Sequence, residues 1–124
     1  MKRLIYLLFP LFLSAENDVD ENITESFITD YEYGEMLYSN PRGVSCVQCH
    51  GESGEGKIIV TYQGMDGKVT LKGADIRKKT LEEMINASKS YHKVMPRYYL
   101  TDDEVSAIYE YLQKRNESYL QSSR

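Results

Sequence analysis

Cys46-Val47-Gln48-Cys49-His50 is the stretch of this 124-residue sequence that decides the fold. A C-x-x-C-H pattern is typical of c-type haem attachment. Two intervening residues let both cysteine sulfurs form thioethers with the vinyl groups on one edge of a porphyrin. The adjacent histidine is then delivered to the iron. We therefore predict one haem c, attached through Cys46 and Cys49, with His50 as the proximal iron ligand.

Two other sites use similar residues and have to be weighed. Thiol–disulfide oxidoreductases also carry C-x-x-C, usually beside a βαβ unit, and this sequence shows no pattern of parallel strands. A structural zinc site needs four ligands, which Cys46, Cys49, His50 and His92 would supply by using every cysteine and histidine present. That site would leave the other features of the sequence without a role.

The second axial ligand of the iron is less clear from the sequence. Met95 precedes Pro96, and a proline pushes the residue before it into an extended conformation, which suits a ligand presented from a loop. His92 is the alternative. The remaining candidates fall in positions that favour other roles, in predicted helices or at a turn: Met36, Met65 and Met84.

Around the motif, the sequence predicts helices and one hairpin. A helix is expected from Asp30, as N-cap, to about Ser39, where Asn40-Pro41 ends it. Residues 58–62 and 68–71 are strand-like, and Gly64-Met65-Asp66-Gly67 between them predicts a β-hairpin. Two capping boxes, Thr80 with Glu83 and Thr101 with Glu104, begin two further helices.

These features together resemble the class I cytochromes c, from about Asp30 to Arg115. The resemblance rests on Cys46-Val47-Gln48-Cys49-His50-Gly51, Met95-Pro96, and Leu100-Thr101-Asp102-Asp103-Glu104 leading to Tyr111-Leu112. It implies a mostly α cytochrome c fold, in which N- and C-terminal helices cross around one covalently bound haem, here with a small β-hairpin insertion. It also implies that His50 and Met95 are the axial pair.

The resemblance also implies how the first and last helices meet. In the family they cross at a small residue and at an aromatic residue one turn later. Gly34 and Tyr38 match this pair and should meet Ile108, Tyr111 or Leu112.

One feature departs from the family. In many relatives a proline after the haem motif offers its carbonyl to the proximal histidine, but this chain has no proline between Pro41 and Pro96. His50 still needs a partner for its Nδ1–H, because that bond orients a ligating imidazole and sets its basicity. We expect a backbone carbonyl between residues 54 and 59 to serve.

The N-terminus predicts export. Lys2 and Arg3 precede an apolar run that ends in Ser14-Ala15, which is the layout of a secretory signal peptide. The predicted organisation is a signal peptide over residues 1–15, a flexible acidic lead-in over 16–27, the haem domain over 28–116 and a C-terminal tail over 117–124. The expected location is the periplasm.

The net charge of the chain and its distribution indicate which kinds of partner the protein can bind. The chain has a formal charge of −4, which argues against nucleic-acid binding. Residues 42–97 are locally basic, and candidates for a positive rim around the haem edge are Lys72, Arg77, Lys78, Lys79, Lys89, Lys93 and Arg97. We expect a monomeric electron carrier, not an enzyme, that meets membranes only through its partners. The resemblance implies a quinol-oxidising complex as donor and an oxidase or peroxidase as acceptor.

Apolar residues should bury the haem. Pocket candidates are Tyr38, Val44, Val60, Leu71, Ile76, Leu81, Met84, Ile85, Tyr98, Tyr99, Val105 and Leu112. Two rival functions stay open: an enzyme or sensor with a vacant sixth iron position, and a haem subunit held permanently to a larger complex.

Overall fold

The computed structural model describes residues 27–124, so the predicted signal peptide and nearly all of the acidic lead-in lie outside the described residues. The elements in chain order are α1 (Asp30–Ser39), α2 (Cys46–His50), β1 (Ile58–Gly64), β2 (Gly67–Lys72), α3 (Leu81–Lys89), α4 (Asp102–Arg115) and α5 (Glu117–Ser122). Within residues 27–124, no helix combines the length and the apolar character that crossing a membrane requires.

Helices α1 and α4 cross at Gly34 and form the centre of the fold. A Cβ at Gly34 would collide with the Ala107 carbonyl oxygen and lie 2.8 Å from the Cβ of Tyr111, so only glycine allows this approach. One turn later, the rings of Tyr38 and Tyr111 lie 5.7 Å apart, centroid to centroid. The predicted crossing at Gly34 and Tyr38 is confirmed.

The core forms between these helices and the chain that leads into α4. Its buried residues are Leu37, Tyr38, Tyr98, Leu100, Val105, Ile108, Tyr111 and Leu112. Five of these eight come from α4 or the residue just before its cap, which agrees with the apolar periodicity of this helix in the sequence.

Three helices begin with the same reciprocal cap. In α3 and α4, Thr80 and Thr101 accept from the backbone N–H of Glu83 and Glu104, whose side chains accept in return from the threonine N–H. Both predicted capping boxes are confirmed. In α1 the cap is Thr29, paired with Glu32, and the prediction of Asp30 was wrong by one residue. Asp30 instead lies in the first turn, where its charge suits the helix dipole.

The hairpin forms as predicted. Gly64 pairs with Gly67 across the two-residue loop Met65-Asp66. Ile58 pairs with Lys72 and Val60 pairs with Leu71, so Ile59 is an extra residue in β1. A bulge of this kind bends a strand and redirects side chains.

The chain after residue 116 was expected to be a tail, but it forms helix α5. The ring of Tyr119 lies beneath the guanidinium of Arg77, with Cζ 3.8 Å from the ring centroid. Apart from Asn116, the sequence of this short segment contains no signal for a helix. The contact between Tyr119 and Arg77 therefore explains why the helix forms.

Replacing Gly34 by Ala should reduce the free energy of unfolding by about 2 to 3 kcal/mol, because the added methyl group has to separate α1 from α4. Intrinsic helix propensity alone would instead stabilise the protein by about 1 kcal/mol. Denaturant unfolding of the haem-containing protein distinguishes the two signs.

Gly43→Ala is the matched control for this experiment. A Cβ at Gly43 would make an ordinary contact, 3.5 Å from the Tyr98 ring. Equal unfolding free energies for Gly34→Ala and wild type would contradict the close crossing.

Candidate functional site

The two cysteines and the histidine share one short helix. Helix α2 begins after Ser45 and ends at Gly51, whose φ of 82° is a conformation that glycine adopts without strain. Cys46 and Cys49 are three residues apart and therefore lie on one helix face. Both are partly buried free thiols, as attachment to a porphyrin requires.

His50 is oriented by a backbone carbonyl. Its Nδ1 lies 2.7 Å from the carbonyl oxygen of Ala74, and because a carbonyl only accepts, Nδ1 must donate. In the neutral imidazole with this tautomer, the other ring nitrogen, Nε2, carries the free lone pair that can bind a metal. The partner expected between residues 54 and 59 was wrong.

The hairpin explains why Ala74 takes this role. The hairpin begins after Lys57 and ends before Gly73. The Gly73 N–H donates to the Lys57 carbonyl at 2.8 Å, so the two ends of the hairpin lie side by side. Gly73 packs so closely on Cys49 that a Cβ would overlap its carbonyl. The residue after this contact, Ala74, is therefore brought beside His50.

Beside α2 lies an apolar cavity of about 390 Å³. Its walls include Cys46, Cys49 and His50 together with Met95 and His92, so the cavity gathers all the proposed attachment and ligand residues. The apolar side chains that complete it are Tyr38, Ile59, Ile76, Met84, Ala87, Val94, Pro96, Tyr98, Leu100, Val105 and Ile108.

Five of the predicted pocket residues line this cavity: Tyr38, Ile76, Met84, Tyr98 and Val105. The other seven do not. Tyr99 is 88% exposed, Val44 and Val60 are also exposed, and Leu112 is buried in the core between helices. Leu71, Leu81 and Ile85 are partly buried elsewhere. Sequence analysis did not predict Ile59 as a pocket residue. It reaches the cavity from the bulge in β1, and the alternation of apolar and polar residues along the strand does not indicate a bulge.

The two candidates for the second axial ligand differ in their surroundings. Met95 is partly buried and packs against the core from the loop between α3 and α4. His92 is also partly buried, not the solvated residue expected for a non-ligand, and its Nε2 lies 2.8 Å from the Ala87 carbonyl oxygen. That nitrogen donates to a carbonyl, so binding iron through it would break the bond.

The zinc alternative finds no support in the geometry. Over residues 27–124, no three histidine, cysteine, aspartate or glutamate side chains converge as a metal site would need. The four zinc ligands considered from the sequence therefore do not come together.

Two buried tyrosines hold the chain on both sides of α2. Tyr38 donates to the Gly51 carbonyl at 2.7 Å, and Tyr98 donates to the Val44 carbonyl at 2.6 Å. Burial raises the pKa of Tyr98 to about 12 and that of Tyr38 further, with smaller contributions from the cysteines and nearby acids. Both hydroxyls therefore remain protonated donors near neutral pH.

Burial, and secondarily the neighbouring Cys49, raises the pKa of the Cys46 thiol to about 11. Cys46 is therefore a neutral thiol near pH 7.

Arg42 joins the loop before α2 to the start of α4. Its two terminal nitrogens donate to the two carboxylate oxygens of Glu104, at 2.9 and 2.7 Å, and one of them also donates to the Tyr99 carbonyl at 3.0 Å. The residue has φ of 60°, which is unusual for a side-chain-bearing residue. The hydrogen bonds from Arg42, and then the Thr101 N–H, lower the pKa of Glu104 to about 2.

The predicted positive rim is partly neutralised by the fold. Arg77 pairs with Asp75, Lys79 with Glu83 and Lys89 with Asp102. In the described part of the chain, Lys72, Lys78, Lys93 and Arg97 form no ion pair.

Comparison with known families agrees with this geometry. The family model described as Cytochrome c matches residues 31–116, which includes all of α1 except Asp30, the C-x-x-C-H motif, Met95 and all of α4. Comparisons with curated proteins and with solved structures gave no match.

The residues present fit a covalently attached haem. Two free thiols and an imidazole with its Nδ1 engaged share the wall of one apolar cavity. The sequence identified these residues, but it missed Ala74 and the hydroxyl bonds of Tyr38 and Tyr98. Backbone carbonyls carry no sequence signal, so only the folded chain could reveal these partners.

Arg42→Met should reduce the acid resistance of the fold. A lowered folded pKa for Glu104 contributes stability above its ordinary value of 4.5, and that stability disappears as the pH falls from 4.5 toward 2. The variant should be less stable than wild type at pH 7, and the difference should shrink toward pH 2 to the pH-independent part contributed by the bond from Arg42 to the Tyr99 carbonyl. Unfolding free energies measured by denaturant at several pH values test this.

Lys79→Met is the control, because Lys79, just before α3, forms a single exposed ion pair at 3.6 Å with Glu83 in the first turn of that helix. It should change stability little. A pH profile of Arg42→Met that runs parallel to wild type would show that Arg42 does not set the ionisation of Glu104.

Proposed function

This chain is a member of the cytochrome c family, and on that premise we propose that it is a periplasmic one-electron carrier with His50 and Met95 as the axial ligands of one haem c. The family binds haem c covalently and generally acts in haem-based electron transfer. The observation that carries the proposal is the hydrogen bond from His50 Nδ1 to Ala74, which leaves Nε2 free for iron on the wall of the apolar cavity.

The haem would supply the one-electron chemistry, cycling between Fe(II) and Fe(III). Cys46 and Cys49 hold it covalently, so it is not lost in either oxidation state. The Nδ1–H bond fixes the imidazole plane and raises the basicity of Nε2. The apolar walls exclude water and disfavour the extra charge of Fe(III), which raises the potential.

Met95 is the proposed second ligand for two reasons. It lies in the loop wall of the same cavity, directly before Pro96, and the Nε2 of its nearest rival, His92, is bonded to the Ala87 carbonyl. A thioether ligand favours the reduced iron relative to a second histidine. With both axial positions filled, no site stays open for oxygen or peroxide, which supports a carrier over an enzyme.

The proposed location follows from the N-terminus and the cofactor. The charged and apolar pattern of residues 1–15 is that of a signal peptide. Haem of this type is attached outside the cytoplasm, so an exported chain suits the motif.

The proposed partners are redox proteins with acidic docking surfaces, a quinol-oxidising complex as donor and an oxidase or peroxidase as acceptor. Lys93 and Arg97 flank Val94, Met95 and Pro96 of the cavity wall without an ion pair among the described residues. Positive charge beside the haem would steer such partners. Redox encounters bury little surface, which fits a monomer that binds transiently.

The exported protein, expressed with haem-attachment machinery, should have the mass of a chain beginning at Glu16 plus one haem. Its oxidised form should show the weak near-infrared band of thioether sulfur bound to iron. Met95→Ala should abolish that band and lower the midpoint potential by an amount on the order of 0.1 V.

His92→Asn is the control and should leave the band in place. Carbon monoxide binding to the reduced wild type would contradict a filled sixth position and would favour the enzyme or sensor. A mass without haem would refute the proposal as a whole.

Local positive charge can be tested with the anionic reagent hexacyanoferrate. If Lys93 and Arg97 steer the encounter, the rate of oxidation of the reduced protein should fall as salt increases, and Lys93→Gln with Arg97→Gln should weaken this dependence. Steering by the net charge of −4 would give the opposite sign. Lys68→Gln with Lys114→Gln is the control of equal charge change, because neither lysine lines the cavity.

A rate that is independent of salt would remove the positive rim from the proposal. Co-purification of the wild type in a complex that survives high salt would favour the permanent subunit over the free carrier.

A further inference from the structure

We propose that helix α5 acts as a brace that holds the Ala74 carbonyl on His50, with Tyr119 and Arg77 as positioning residues that tune the haem potential. This inference rests on the proposed function, because it concerns the proximal ligand of the same haem. Helix α5 (Glu117–Ser122) lies beyond residue 116, where the family match ends. The brace is therefore a feature of this chain that the family assignment does not supply.

The first step is the contact between α5 and Arg77. The guanidinium carbon lies 3.8 Å from the centre of the Tyr119 ring, which is close enough for stacking and cation–π attraction. The Arg77 side chain is only 22% exposed, and Tyr119 is partly buried. Partial removal from water strengthens such a contact.

The second step runs from Arg77 to Ala74. Arg77 donates to both carboxylate oxygens of Asp75, from Nε at 3.0 Å and from Nη2 at 2.7 Å, and its backbone N–H donates to the same carboxylate at 3.0 Å. The planar guanidinium fits this bidentate arrangement, which restricts both partners. Asp75 directly follows Ala74, so the closed turn fixes the chain next to the carbonyl that His50 uses.

A parallel route runs through the junction of α4 and α5. The side-chain amide of Asn116 is buried and donates to the Ser53 carbonyl at 2.7 Å, and Arg115 donates to the Ser53 hydroxyl at 2.9 Å. The neighbouring Gly54 carbonyl accepts from the N–H of Ile76 at 2.8 Å. The C-terminal end of the chain thus holds Ile76 and Arg77, both just beyond Ala74.

These contacts affect the midpoint potential through the hydrogen bond on His50 Nδ1. A well-placed acceptor on Nδ1–H increases the basicity of the imidazole, which stabilises the ferric iron. Without the stacking on Tyr119, residues 75–77 lose a restraint, and the Ala74 carbonyl is held less closely on Nδ1. The bond weakens, His50 becomes a poorer electron donor, and the midpoint potential rises.

The experiment measures the midpoint potential of the haem-loaded, full-length protein and of Tyr119→Ala and Arg77→Lys, the second of which keeps the positive charge but loses the planar bidentate contact. Both variants should have a higher midpoint potential than the wild type. The shift should correspond to a severalfold change in the Fe(II)/Fe(III) ratio at a fixed applied potential, where a tenfold change in that ratio is about 59 mV for one electron. The His50 Nδ1 proton should also exchange faster with solvent by NMR. Tyr119→Phe, which keeps the ring, should retain the wild-type potential.

Leu120→Ala is the matched control. Leu120 lies on the same helix and is also partly buried, but it faces the groove between α1 and α4 with Tyr31 and Glu110. It should reduce stability without moving the potential or the proton exchange. Equal potentials for wild type, Tyr119→Ala and Arg77→Lys would overturn the brace, as would an equal shift in Leu120→Ala.

The two proposals fail in different ways. If the wild type carries no haem c or lacks the sulfur band, the proposed function fails before the variants are compared. If the wild type carries haem c and shows the sulfur band, and Tyr119→Ala has the same midpoint potential as the wild type, only the brace fails.

Discussion

The position of His50 is the constraint on which the rest of the structure depends. The imidazole is tethered on one side by Cys49, its neighbour in α2, and on the other by the 2.7 Å hydrogen bond to the Ala74 carbonyl. In the proposed function, a ligand held at two points would need little reorganisation when the iron changes charge. The surrounding chain serves to keep those two points at a fixed distance.

Close approaches between backbone segments keep the two points that hold His50 at a fixed distance. Gly34 lets α1 and α4 cross in contact, which buries Tyr38 and directs its hydroxyl to the Gly51 carbonyl behind the motif. Gly73 lets the return of the hairpin lie against the Cys49 carbonyl. At each place a single methyl group would displace one wall of the site. Small residues at contacts far from the iron therefore control the geometry near it.

The hairpin accounts for the departure of this chain from the family pattern around His50. It occupies the region where many relatives have a proline carbonyl for the proximal histidine, and the acceptor has moved to the residue that follows its last contact. The new acceptor lies in a segment that α5 contacts through Arg77 and Tyr119. The C-terminal helix is thus connected to the haem site through the segment that replaced the proline.

The sequence by itself determined the features that depend on neighbouring residues: C-x-x-C-H, the capping boxes at Thr80 and Thr101, the turn at Gly64–Gly67, and the Gly34–Tyr38 pair on one helix face. Only the tertiary structure decided which carbonyl holds His50, that Ile59 enters the cavity, and that Tyr119 supports Arg77. The physical reason is that every residue has a carbonyl, and that contacts between distant segments follow no period along the chain.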